Sequence, residues 1–223
     1  SILPGQSDNM KYRSTLQYIA DFLDRIKTSE GTYIPVILRP YHEHNHTWSW
    51  WGSNSCTPAE YNALWQMSVE YFRDESNLHH LLYAISPQDI SSAEDYLARY
   101  PGDEWVDIFG IDSYSLWNMP AVTDLGQALS IVNELAIQRG KVAALTEVGI
   151  ENIPIASWWT DYLLAAINYN EFSQKTAWAL VWRNSTIEHH FAPYPGHSSA
   201  ANFIDFYDDP TTYFLGELQQ IHP

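Results

Sequence analysis

Five short apolar segments recur along the chain, each six to nine residues long. Their hydrophobic residues follow one another instead of alternating with polar ones, as expected of strands that are buried on both faces of a sheet. The segments are residues 33–40, 81–86, 106–114, 142–149 and 177–184. This pattern predicts five strands of a parallel sheet.

Helical periodicity separates these segments. Before the first of them, apolar residues recur at intervals of three and four at Leu16, Ile19, Leu23 and Ile26. Thr57, Pro58 and Glu60 have the spacing of a capping box, which predicts that a helix begins there. Another predicted helix ends near Gly140, and Ser157 is the expected N-cap of a further one.

The alternation of strands and helices predicts an α/β fold built from parallel β/α units. Two architectures have this pattern, an open doubly wound sheet and a (β/α)8 TIM barrel. No glycine-rich phosphate loop follows any of the five predicted strands, which disfavours the nucleotide-binding form of the open sheet. Internal repeats and linker-like tracts are absent from the sequence, so residues 1–223 are expected to form one domain.

Composition narrows the classes of partner. The 27 acidic residues outnumber the 11 basic ones and give a formal net charge of -16, which argues against nucleic acid as a partner. No apolar run is long enough to predict a membrane span, and the single cysteine, Cys56, cannot form an internal disulfide. The composition does not predict an oligomeric state.

The segment HEHNH satisfies the zinc-protease pattern H-E-x-x-H at His42, Glu43 and His46. That pattern binds metal when a helix places both imidazoles on one face. Here it follows a predicted strand that ends at Pro40, and a tryptophan-rich stretch comes after it. We therefore expect loop histidines and neither a metal site nor a cofactor at this motif.

Polar residues and tryptophan lie where the predicted strands end, which is where TIM barrels place their catalytic residues. These residues are Glu43, Asp112, Tyr114, Glu147, Trp182 and Arg183. Glu43 and Glu147 are 104 residues apart, a distance that fits three β/α repeats of roughly 35 residues, so both should project from the same rim. Glycoside hydrolysis requires such a pair, one carboxyl group protonated and the other ionised.

Four segments with distinctive sequences lie at these strand ends. They read RPYHEHNHTWSWWG at 39–52, DEWVDIFGIDSY at 103–114, LTEVG at 145–149, and LVWRN at 180–184, which HHFAPYPGH follows at 189–197. In this order they resemble glycoside hydrolase family 26, whose members are retaining (β/α)8 barrels. The resemblance implies that the chain supplies roughly strands 4–8, and that residues 1–223 are one catalytic barrel domain truncated at its N-terminus.

The same resemblance implies roles for the residues at the reaction centre. Glu43 would be the general acid/base and Glu147 the nucleophile. His42 would orient the nucleophile and the sugar at the cleavage subsite. Tyr114 would donate a hydrogen bond to Glu147, and Asp112 would anchor a sugar hydroxyl or position Tyr114.

The substrate expectations also come from the resemblance. Trp48 and Trp182 would be platforms for sugar rings, and Arg183 would contact a glycone-side sugar. The expected substrate is β-1,4-mannan, glucomannan or galactomannan, cleaved internally by an extracellular or periplasmic enzyme without a cofactor. Mixed-linkage β-glucan or β-1,3-xylan is the alternative substrate, and a non-catalytic carbohydrate-binding protein or a metal-dependent hydrolase is the alternative class.

Overall fold

The computed structural model describes residues 1–216, which contain a five-stranded sheet with every neighbouring pair parallel. The strands are β1 (Val36–Leu38), β2 (Leu81–Ile85), β3 (Ile108–Ser113), β4 (Val142–Val148) and β5 (Ala179–Val181). All five predicted strands are confirmed. The first and last are only three residues long, shorter than their predicted segments, because each has a partner strand on one side only.

The strand order decides between the two architectures. The strands lie side by side in the order of the chain, β1-β2-β3-β4-β5. A doubly wound sheet reverses its strand order at a switch point, whereas a β/α barrel adds each strand beside the previous one. The sheet therefore follows the barrel pattern that the sequence predicts.

Helices precede, connect and follow the strands. They are α1 (Asn9–Leu23), α2 (Pro58–Glu70), α3 (Ala93–Leu97), α4 (Met119–Gln138), α5 (Ala165–Ile167) and α6 (Ala200–Tyr207). A π-helical turn, Tyr71–Glu75, continues α2, a second, Trp159–Leu164, leads into α5, and a 3₁₀ turn covers Ser173–Lys175. No helix within residues 1–216 is long and apolar enough to cross a membrane.

The predicted helix termini have different outcomes. The capping box of α2 is confirmed, because the Thr57 hydroxyl accepts from the Glu60 N–H and the Glu60 carboxylate accepts from the Thr57 N–H. The prediction that Ser157 caps the next helical segment is wrong. That segment begins at Trp159 without a side-chain cap, and Ser157 contributes only its backbone carbonyl, which accepts from Asp161.

The main hydrophobic core lies between the sheet and the helices. Phe109 and Ile111 on β3 and Leu145 on β4 are fully buried in one cluster with Trp65 of α2 and Leu129 of α4. Burying a large apolar side chain contributes about 1.5–3 kcal/mol each. This helix-covered side, the outer face of the sheet, is therefore the main source of stability.

The opposite side of the sheet, the inner face, is less covered. A separate small cluster lies there, formed by Ala84, Ile108 and Ala144. Around it, Ile37, Leu82 and Leu180 expose 47%, 43% and 46% of their surface. Ile37 pairs with Leu82 and so points to the same side as its partner. In a complete barrel this face is packed by side chains, so residues 1–216 leave an apolar surface open to solvent.

We predict that polar substitution of the inner face improves the behaviour of the chain in solution. Leu82→Gln with Leu180→Gln should reduce binding of a hydrophobic dye and self-association in sedimentation experiments, because both side chains are nearly half exposed. The free energy of unfolding should change by less than about 1 kcal/mol.

The matched control for this pair is Ile85→Gln, which places an amide at a fully buried position. It should cost about 3 kcal/mol or more, since the lost packing and the unpaired amide add up. Unchanged dye binding in the double variant would show that the inner face is covered in solution.

Candidate active site

Three carboxyl groups converge at the C-terminal rim of the sheet. Glu43, Asp112 and Glu147 are all buried, and one oxygen of each lies within 4.8 Å of the others. Glu43 follows β1, Asp112 belongs to β3 and Glu147 to β4. The structure thus brings the two predicted glutamates together on one rim. Asp112, also predicted for this rim, lies on a strand between them.

A β-bulge places Asp112 beside Glu147. Ile111 pairs with Leu145, but the next residue, Asp112, pairs with Glu147, so Thr146 is an extra residue in β4. The Thr146 hydroxyl uses this position to donate to Oδ1 of Asp112 at 2.6 Å. Bulges redirect side chains at the rims of sheets, and this one turns Glu147 towards the inner side of the rim.

Arg39, which follows β1, supplies the positive charge of the cluster. One terminal nitrogen donates to Oδ2 of Asp112 at 2.8 Å and to the Ser86 hydroxyl at 2.7 Å, and the other donates to Oε1 of Glu147. Buried carboxylates require such compensation because desolvating a charge is costly. Arg39 is not among the predicted site residues, although an arginine that ends an apolar strand is a signal for a buried ion pair.

Glu147 is held by both of its oxygens. Arg39 binds Oε1, and the Tyr114 hydroxyl donates to Oε2 at 2.6 Å, which is the contact that the sequence predicts for Tyr114. Burial and the adjacent Glu147 carboxylate raise the pKa of Tyr114, so the phenol keeps its proton and remains a donor. These two contacts stabilise the negative charge of Glu147 and fix its orientation.

Glu43 has a different environment. The Trp48 indole N–H donates to its Oε2 at 2.6 Å, and within residues 1–216 no cation forms an ion pair with it. Burial raises the pKa of Glu43, and the nearby Glu147 charge raises it further, against the opposing effect of the Trp48 hydrogen bond. Glu43 therefore retains a proton to higher pH than an ordinary glutamate, as a general acid must.

Asp112 does not have the surroundings of a sugar contact. Its side chain has no solvent exposure, and both oxygens are occupied, by Thr146 on one side and by Arg39 and Ser86 on the other. It makes no hydrogen bond to Tyr114 either, so neither predicted role fits. Burial raises the pKa of Asp112 to about 7, with Arg39 opposing the effect. Asp112 instead positions Arg39.

The backbone after β1 is strained where it aims Glu43. Tyr41 and Glu43 both have φ near 51°, a left-handed conformation that side chains other than glycine rarely adopt. Backbone contacts hold it: Glu43 N–H donates to the Ser86 carbonyl at 2.7 Å, and the Trp51 indole donates to the His42 carbonyl at 2.7 Å. Such strain persists only where the surroundings over-determine it, and it is common at functional sites.

The histidines of HEHNH lie in turns instead of on a helix, as the sequence predicts. His42 packs between Trp48 and Trp51, and burial together with Arg39 lowers its pKa, so its imidazole is neutral at pH 7. His46 is exposed, whereas His44 is buried against Tyr61. The one group of three metal-ligating side chains found within residues 1–216 is the carboxyl cluster that already binds Arg39.

The remaining predicted residues lie on the same rim without joining the cluster. Trp182 is half buried just after β5, where its backbone N–H donates to the Val148 carbonyl at 3.0 Å. Arg183 beside it is exposed. Trp48 is 55% exposed although its indole N–H is bound to Glu43, so its ring faces remain accessible.

Comparison with known proteins decides the family. A family model described as glycosyl hydrolase family 26 matches residues 3–192. The chain belongs to glycosyl hydrolase family 26. A mannan endo-1,4-beta-mannosidase of Bifidobacterium adolescentis is 42% identical over 159 residues, which make up 66% of this chain and 16% of that protein.

Solved structures support the same family assignment. A family 26 beta-mannanase from Bacteroides ovatus superposes with a TM-score of 0.91 at 38% identity, over 97% of this chain and 62% of that one. An endo-beta-1,4-mannanase from Cellulomonas fimi gives a TM-score of 0.92 at 34% identity, over 97% and 50%. The five strands match part of the (β/α)8 barrel of these family 26 structures. This chain therefore spans less than two thirds of the length of these relatives.

We predict that Arg39→Met destabilises the protein in a pH-dependent way. Removing the guanidinium leaves Asp112 and Glu147 buried without a counter-ion, which should cost about 3–5 kcal/mol near pH 8. The cost should be smaller near pH 5, because protonated carboxyl groups no longer need the cation. Urea unfolding at both pH values measures the difference.

The matched control is Arg73→Met, which removes an exposed ion pair with Asp74. Its effect should stay below about 1 kcal/mol at either pH. An Arg39→Met cost that is equal at both pH values would argue that Arg39 acts through packing and not through charge.

Proposed function

We propose that this chain carries the catalytic centre of a retaining glycoside hydrolase that cleaves internal β-1,4-mannosidic bonds. The observation that carries the proposal is the separation of Glu43 and Glu147, whose nearest carboxylate oxygens lie within 4.8 Å. Retaining enzymes hold their two carboxyl groups about 5–5.5 Å apart, whereas inverting enzymes leave about 6.5–9.5 Å for a water molecule. The spacing supports direct attack by a carboxylate.

In the first step Glu147 attacks the anomeric carbon of the sugar. As the glycosidic bond breaks, Glu43 gives its proton to the leaving oxygen, and the sugar is left as an ester of Glu147. Tyr114 and Arg39 hold the attacking carboxylate in position. Because Glu43 has now lost its proton, it is ready to act as a base.

In the second step Glu43 takes a proton from a water molecule. The water oxygen attacks the anomeric carbon, the ester bond to Glu147 breaks, and the carboxylate is regenerated. Two inversions of configuration at the anomeric carbon leave the product with the configuration of the substrate. The difference in environment between the two glutamates supports this division of roles, since Glu147 is bound by a guanidinium and Glu43 by an indole N–H.

Mannan is the proposed substrate because the Bifidobacterium adolescentis mannan endo-1,4-beta-mannosidase and the Bacteroides ovatus beta-mannanase are named for it. Trp48 and Trp182 are the proposed ring platforms, since indole faces pack on the C–H faces of sugars. His42 is proposed to bind the sugar at the cleavage subsite as a neutral imidazole, and Arg183 to contact the glycone side. Mixed-linkage β-glucan and β-1,3-xylan remain the substrates to compare.

Two further features belong to this proposal. We propose that the strands which complete the barrel come from another part of the protein, since the inner face exposes Ile37, Leu82 and Leu180. We also propose an extracellular or periplasmic location, because mannan is a polysaccharide outside the cell. Residues 1–223 would then be part of one catalytic domain.

We predict that Glu147→Gln abolishes mannohexaose cleavage and that EDTA does not affect the wild-type chain. Glutamine cannot form the ester, and a mechanism with two carboxylates needs no metal. Product chromatography measures both effects, and NMR of the first product should show the β anomer. Glu151→Gln is the matched control, as it changes an exposed glutamate on the same connection. Binding without cleavage by wild type would favour the carbohydrate-binding alternative.

We also predict that Glu43 sets the alkaline limb of the pH profile of kcat/KM. Its raised pKa means that the acid form persists above the ordinary glutamate value of about 4.3 and is lost as the pH rises through the folded-state pKa. Glu43→Gln should lower the rate on mannohexaose about 10²–10⁴-fold and remove this limb for an aryl β-mannobioside. Azide should restore turnover of the aryl β-mannobioside and give a β-mannobiosyl azide. An unchanged alkaline limb would exclude Glu43 as the acid.

A further inference from the structure

The loops that follow β2 and β3 form an arc of the rim with no assigned role. This arc lies between β1, which leads to Glu43, and β4, which carries Glu147. It presents Trp117, 54% exposed, and the exposed carboxylate of Asp89. Neither residue is needed for the two-step mechanism.

Trp117 is exposed but fixed. Its indole N–H donates to the Tyr114 carbonyl at 3.1 Å, and its backbone N–H donates to the Ser115 carbonyl at 2.7 Å. The next residue, Asn118, caps α4. Since the ring nitrogen is already bound, Trp117 offers a ligand its apolar faces alone. An aromatic ring held in place while facing solvent is typical of a binding surface.

Asp89 provides a polar group that contacts the segment leading to Trp117. Its Oδ1 accepts from the Ser113 hydroxyl at 2.6 Å and lies 3.5 Å from the Ser115 hydroxyl. Within residues 1–216, Oδ2 has no hydrogen-bond partner, so it can accept from a ligand. The backbone of Asp89 has φ of 38°, which the surrounding contacts hold. A fixed acceptor that contacts the segment carrying a fixed ring matches a sugar, which has hydroxyl donors at its edge and C–H groups on its faces.

The position of the arc indicates which part of the substrate it contacts. Glu43 must reach the oxygen of the leaving group, so the leaving sugar lies beside β1. Trp182 and Arg183 lie beyond β4, just after β5. A sugar chain bound between the two glutamates therefore has its glycone on the β5 side. Its leaving-group part lies over the loops that follow β2 and β3.

We propose that Trp117 and Asp89 form a subsite for the leaving-group part of a β-linked hexose chain. Trp117 stacks on a sugar ring and Oδ2 of Asp89 accepts from one of its hydroxyl groups. This inference rests on the proposed function, because it takes its direction from the roles of Glu43 and Glu147.

The test compares two substrates, mannohexaose and an aryl β-mannobioside that has no sugar on the leaving side. Trp117→Ala should lower the ratio of their kcat/KM values, mannohexaose over aryl substrate, about 10-fold. Trp117→Phe should retain most of the ratio, because phenylalanine keeps a ring face while it loses the N–H contact with Tyr114. Asp89→Asn should lower the ratio a few-fold, since asparagine still accepts from Ser113 but presents an N–H donor in place of Oδ2.

The matched control is Tyr18→Ala, which removes an exposed aromatic side chain from α1 and should leave the ratio unchanged. An equal loss on both substrates in Trp117→Ala and Trp117→Phe would mean that Trp117 only positions Tyr114, and would overturn the subsite. An unchanged ratio, or a larger loss on the aryl substrate, would overturn it as well. A well-folded wild type that cleaves neither substrate would instead contradict the proposed function itself, on which the subsite depends.

Discussion

The rim of the candidate active site depends on one guanidinium, that of the partly buried Arg39. Arg39 faces Asp112 and Glu147 directly, and Glu43 lies within 4.8 Å of both carboxyl groups. Three acids this close would repel one another in a medium of low dielectric constant. Arg39 compensates the charge of this arrangement and also distinguishes its members, because it binds Asp112 and Glu147, whereas within residues 1–216 no cation forms an ion pair with Glu43. This asymmetry gives the two glutamates different surroundings, a guanidinium at Glu147 and an indole N–H at Glu43.

Two departures from regular backbone geometry bring the acids to Arg39. The bulge at Thr146 moves Glu147 into register with Asp112, and the left-handed residues Tyr41 and Glu43 turn the chain sharply after β1. Both are held by contacts from β2 and β3, since the Ser86 carbonyl accepts from Glu43 and Asp112 accepts from Thr146. The sheet thus provides rigidity, and the irregular positions at its C-terminal edge hold the three carboxyl groups of the candidate site.

The two faces of the sheet have different roles in stability. The outer face packs against helices in a continuous core that includes Trp65 and Phe109. The inner face has only a small cluster of buried residues, with Leu82 and Leu180 nearly half exposed. The site lies at the rim where the two faces meet. Its carboxyl groups are therefore positioned by strands whose outer side is well packed, even though the inner side remains open within residues 1–216.

The strands and the two glutamates proposed as the catalytic pair can be predicted from the sequence alone. Apolar runs predicted five parallel strands, the spacing of Glu43 and Glu147 predicted a shared rim, and the contact from Tyr114 to Glu147 followed from the family resemblance. What surrounds these groups is a property of the folded chain. The sequence does not indicate Arg39, and the roles that the family resemblance implies for Asp112 do not match the contacts of its side chain, because ion pairs between residues 73 and 108 positions apart leave no periodic signal in a sequence. Periodicity reports which side of an element is buried, whereas charge compensation depends on which strands become neighbours and on a single-residue bulge, and those are properties of the folded chain.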